Sequence, residues 1–107
     1  MPQYVFSRAT LDKAIDDWVT RKTSKYSEKE ESFLIVKAAL PWLLEHLKQF
    51  NAVCSLNEDT LLHEVRVFAK VQIKAYPHQK TRIDETCALI IDFFHSDVVR
   101  DHKMIIG

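Results

Sequence analysis

The chain has 107 residues, 47% hydrophobic and 28% charged, with 15 Lys and Arg against 15 Asp and Glu. That length holds one hydrophobic core, so a single domain over residues 1–107 is expected, and the balanced charge provides no global pull toward nucleic acid or an anionic membrane. The lone glycine, Gly107, excludes standard Gly-rich phosphate loops, dinucleotide fingerprints and nucleophile elbows, and it disfavours a hairpin-rich all-β fold.

The first residues, MPQYVFSRAT, do not pair a basic stretch with an apolar one as a secretion signal does. The longest apolar run, Ala38–Leu44, contains Pro41 and is far shorter than the ~20 residues of a membrane span. Two cysteines do not form a disulfide framework, so a cytoplasmic location without membrane attachment is expected. No internal repeat or low-complexity stretch is apparent. The chain divides near residues 23–26, 51–56 and 77–80.

A first helix is predicted from Ser7 or Thr10 to Lys22. Leu11, Ala14, Ile15, Trp18 and Val19 fall on one side, with Asp12, Asp16, Asp17 and Arg21 opposite. The second segment opens on Ser27-Glu-Lys-Glu30, the pattern of a capping box, in which serine and glutamate side chains satisfy free backbone donors. Phe33, Val36, Leu40, Leu43, Leu44 and Leu47 form its core face. Pro41 falls mid-helix, where losing a backbone bond costs about 3 kcal/mol, so the helix is expected to kink or split there.

The third segment starts with Asn57-Glu-Asp-Thr60, an Asn cap followed by two acids. Its VRVFAKVQIKAY stretch, residues 65–76, alternates like a strand. A strand of that length would reach ~40 Å, against a radius of gyration of ~13 Å for a domain this size. On a helical wheel His63, Arg66, Lys70 and Lys74 gather within about 80°, and nearly everything else is apolar. A helix fits better, and its apolar circumference predicts a central position. The fourth helix is predicted over Thr81–Ser96, with Ile83, Cys87, Ile90, Ile91 and Phe94 as its stripe and Val98 extending it. The expected fold is therefore all-α: a compact bundle of four main helices, the second kinked or split at Pro41 and the third central.

Two surfaces are candidates for function. The second helix carries a second apolar face, Leu34, Ile35, Ala38 and Trp42, that is either covered by residues Tyr4–Phe6 or left for a protein partner or a second copy, with Trp42 as anchor. The third helix carries a basic edge, His63, Arg66, Lys70 and Lys74, with Lys80 and Arg82 close after. That edge either contacts a partner or phosphates, or is neutralised by the acids of residues 83–101. Asp92, His95, Asp97, Asp101 and His102 lack the spacing of a metal site and are expected to be solvated. Cys87 lies on the core stripe. Cys54 falls in a predicted loop and has no base beside it in sequence. The residues lead to a non-enzymatic protein-binding module without metal or cofactor, of adaptor, inhibitor or immunity type. The alternative is a nucleic-acid-binding protein using the basic edge.

Overall fold

A computed structural model describes residues 3–45 and 53–106. In chain order these form β1 (Gln3–Phe6), α1 (Arg8–Lys25), a single 3-10 turn (Ser27–Lys29) and α2 (Glu30–Glu45). The order continues with β2 (Cys54–Asn57), α3 (Glu58–Ala75), a second 3-10 turn (Pro77–Gln79), α4 (Lys80–His95), α5 (Asp97–Asp101) and β3 (Ile105–Ile106). The protein is predominantly helical, with a small antiparallel sheet in the order β2-β1-β3. Leu47 of the expected core face and the start of the 51–56 division lie outside the described residues.

The fold is an internal structural duplication, although no repeat stands out in the sequence. The order strand, 18-residue helix, 3-10 turn, 16-residue helix occurs twice, the helices of the second copy 50 positions after the first: Arg8–Lys25 against Glu58–Ala75, and Glu30–Glu45 against Lys80–His95. Ser7 and Asn57 cap equivalent helices, accepting from the backbone N–H groups of Thr10 (3.2 Å) and Thr60 (2.8 Å). Tyr26 and Tyr76 close them with nearly the same backbone angles, φ −132° and −135°. In the β1–β2 pair the equivalent residues Val5 and Ser55 face each other, so the antiparallel ribbon is centred on a local two-fold axis. The equivalent helices α2 and α4 pack together, and α1 and α3 pack on them from either side.

Burial follows the same repeat. Leu11, Ile15, Phe33, Leu40, Leu43 and Leu44 are matched by the buried Leu61, Val65, Ile83, Ile90, Phe93 and Phe94. Rings tie the halves together. Trp18 meets Phe33 at 5.4 Å and Phe93 at 5.8 Å, Phe93 meets Phe94 at 5.1 Å, and Phe94 meets Tyr4 at 5.0 Å. These tilted and edge-on pairs add to the burial of large apolar side chains that drives folding.

The end of α5 is a left-handed cap. Lys103 has φ 57°, and the N–H groups of Lys103 and Met104 donate to the carbonyls of Arg100 (3.0 Å) and Val99 (2.9 Å). The reversal puts Met104 in the core and brings its carbonyl to the Val5 N–H at 2.8 Å, which starts the β1–β3 pairing.

Three expectations about local structure are corrected. Residues 3–6 and 105–106 are strands. They are too short to form a sheet around a twelve-residue strand, yet long enough to pair with each other and with β2. The Ser27 capping box does not form: Ser27–Lys29 is a 3-10 turn without a side-chain cap. Of the kink or split expected at Pro41, the split does not occur, because α2 runs unbroken through Pro41 to Glu45. The carbonyl that proline leaves unbonded belongs to exposed Lys37, on the solvent side.

The third helix is also not central. Of its residues only Leu61 and Val65 are buried, whereas α4 buries six and is packed on by α2, α3 and α5. The duplication explains this, since it places the second helix of each half inside and the first helix at the flank.

Candidate partner-docking face

The second apolar face of α2 is open. Leu34 and Trp42 are 45% and 43% exposed, Ala38 is exposed, and Ile35 is half-buried. β1 does not cover them: Tyr4 and Phe6 turn to Phe94 on α4. Trp42 instead leans on Phe68 of α3, ring centres 5.4 Å apart and planes at 63°. Between the two helices lies a groove of about 290 Å³, lined by Trp42, Leu43, Glu64, Val67, Phe68 and Val71. Val67 and Val71 are 42% and 54% exposed. The contribution of α3 was missed in the sequence because its valines were assigned to a central core. Their position one turn apart on the side next to the basic edge was the available signal.

All six residues of the basic edge are exposed, but they divide into two groups. Lys80 pairs with Asp84 at 2.9 Å, and Arg82 with Glu31 at 3.7 Å. His63, Arg66, Lys70 and Lys74 have no ion-pair partner among the described residues. Of the acids of residues 83–101, Asp84 neutralises Lys80 as one reading expected, whereas three others pair away from the edge. Asp92 lies 3.0 Å from Lys22, Asp101 is 2.9 Å from Arg21, and Asp97 is 4.0 Å from Arg100. Arg66, Lys70 and Lys74 thus form a cationic row beside Val67 and Val71, without an acid paired to it among the described residues.

The surface of α1 equivalent to this part of α3 is occupied by the chain itself. Asp17 and Arg21 stand 50 positions before Val67 and Val71. Asp17 accepts from His102 at 3.0 Å, and Arg21 donates to Asp101 at 2.9 Å and to both oxygens of Asp17. α5 therefore contacts α1 while burying Val98 and Val99. The contacts of Asp17 with His102 and then Arg21 outweigh its desolvation and hold its carboxyl below the usual range. A larger cleft beside α1 and α5, about 600 Å³, is lined by Arg21, Lys22, Asp92 and His95, each already in an ion pair or, for His95, in contact with Glu58.

One further polar cluster joins the halves. The Tyr4 hydroxyl donates to Glu58 at 2.6 Å, and the other Glu58 oxygen meets His95 Nε2 at 2.5 Å. Burial, with Glu58 beside it, raises the Tyr4 hydroxyl well above its ordinary range. Burial also opposes ionisation of Glu58, but the bonds from Tyr4 and His95 outweigh it and lower its pKa. A carboxylate held ionised beside a phenol held protonated is a structural clasp and a weak proton acceptor. His95 and Asp101 are exposed, as the solvated role expected for them requires, and together with the half-buried His102 they also make specific contacts.

Cys87 is buried as expected, and desolvation followed by the charge of Asp84 raises its thiol to about 11. Cys54 is not in an accessible loop. It is buried in β2, and desolvation raises its pKa too. Among the described residues, no group of three or more His, Cys, Asp or Glu side chains is arranged to hold a metal ion, and no helix is long and apolar enough to cross a membrane. Comparison of the chain with protein-family models, curated proteins and solved structures found no match.

Proposed function

We propose that the chain is a small, non-enzymatic protein-binding module that acts by occupying a partner's surface, as an adaptor, inhibitor or immunity-type protein does. The observation that carries this reading is the groove between α2 and α3, where Trp42 of α2 packs on Phe68 of α3 beside exposed Val67 and Val71. An exposed apolar cleft with a tryptophan at its edge has the composition of an interface hot spot. The test is a double substitution, Leu34→Glu with Trp42→Glu. Helicity should be retained while partner capture or self-association is lost. Unchanged elution in size exclusion together with unchanged capture would reject the face.

A second reading, nucleic-acid binding along α3, is favoured by the cationic row of Arg66, Lys70 and Lys74. It predicts salt-sensitive binding that is weakened when all three become glutamate. Absence of a gel shift at low salt would remove it. Glu58 and Asp59 at the start of the same helix count against it, since both would repel phosphates.

A further inference from the structure

We propose that the groove receives a single amphipathic helix from an acidic protein partner, with its apolar stripe between Trp42 and Val71 and its acids facing Arg66, Lys70 and Lys74. This rests on the docking-face reading above and specifies the chemistry of the partner.

Charge complementarity is the first argument. Three exposed cations without ion-pair partners among the described residues stand one turn apart, about 6 Å per step, along the side of the groove bounded by Val67 and Val71. Acids at i, i+4 and i+8 of a helix lying along α3 repeat that spacing. The groove volume, about 290 Å³, lies at the lower edge of small-molecule pockets and suits one or two anchoring side chains of a helix.

The second argument is the other half of the duplication. On α1, the positions equivalent to Val67 and Val71 hold the end of α5, a helix with two buried valines whose Asp101 binds Arg21. On the α1 side of the repeat an acid therefore already pairs with a cation at this place. Other occupants fit less well. A nucleic acid supplies phosphates for the cations but nothing for the valines.

The test displays a library of Leu-striped amphipathic helices, with flanking positions randomised among Asp, Glu, Lys, Arg, Gln and Ser, against the full chain. Val71→Asp serves as the counter-selection. Binders should be enriched at least about threefold in Asp and Glu at flanking positions, and should shift the Trp42 indole signal in NMR spectra. They should lose at least about tenfold in affinity for the Arg66→Glu/Lys70→Glu/Lys74→Glu variant, with its helicity unchanged. Basic or charge-indifferent binders that still move Trp42 would overturn the acidic partner and leave the docking face standing. No binder separating the wild type from Val71→Asp would overturn both. A dimer abolished by Val71→Asp would assign the groove to a second copy. An oligonucleotide displacing the binders without moving Trp42 would transfer the cations to nucleic acid.

Discussion

The Tyr4 hydroxyl, on the first strand of one half, lies 2.6 Å from the Glu58 carboxylate that opens the first helix of the other. Tyr4 is almost fully buried, so this contact is shielded from water and links the sheet to α3. Tyr4→Phe keeps the ring packing on Phe94 but removes a donor to a charged acceptor. It should destabilise the fold by about 1.5–3 kcal/mol in urea unfolding. A loss equal to that of an exposed substitution, within about 0.5 kcal/mol, would show that the bond contributes little.

Glu58 and Asp17 make stability depend on acid. Both are lowered in the folded state, so between the two pKa values the unfolded chain binds more protons and stability rises with pH. Their contribution is complete above the ordinary carboxylate range, around pH 5, and is lost as pH falls through their folded values. Denaturant midpoints measured from neutral to acid pH should therefore fall below about pH 5. The drop should shrink in Glu58→Gln and in Asp17→Asn.

Lys103 holds a left-handed backbone that costs a non-glycine residue about 1–2 kcal/mol. Lys103→Gly removes that strain but adds freedom to the unfolded chain. A net gain of about 0.5–1 kcal/mol is expected, read as a higher unfolding midpoint with unchanged helicity.

The two faces of α3 should differ sharply. Leu61→Ala opens a cavity in the core and should cost about 2–5 kcal/mol. Val71→Ser, at an exposed position, should stay within about 0.5 kcal/mol. Similar costs at both sites would restore α3 to the centre of the bundle.

Cys54 and Cys87 are both buried with raised pKa values, so neither is a ready thiolate. A thiol reagent should modify both promptly in denaturant and orders of magnitude more slowly in the native protein. Rapid modification of Cys54 alone would show that β2 opens locally.

Local features were legible in the residues. The caps at Ser7 and Asn57 depend on side chains three positions from the donors they satisfy, and the stripes of α1, α2 and α4 follow helical periodicity. The α-helical conformation of residues 65–75 was legible too, because length and turn chemistry excluded a strand. The duplication was not. Its halves share few identities, Thr10 with Thr60, Leu11 with Leu61, Tyr26 with Tyr76 and Ala38 with Ala88, and repeat instead in which positions are buried. Burial depends on neighbours distant in sequence, and a chain read in order does not display them.

The candidate site divides the same way. Leu34, Ile35, Ala38 and Trp42 could be named from one helix, since four-residue spacing places them on one face. Their exposure, and the joining of Trp42 to Phe68, Val67 and Val71, depended on how α2 and α3 were set against each other. The charge of Arg66, Lys70 and Lys74 is a property of composition. Their lack of ion-pair partners among the described residues is a property of the fold, in which Asp84 pairs with Lys80 and Asp92 and Asp101 pair with Lys22 and Arg21 on α1. By itself the sequence determined the four long helices, since periodicity and capping act over a few residues. Tertiary structure alone decided which apolar face lost contact with water, because burial of that face requires a partner element that only the complete fold selects.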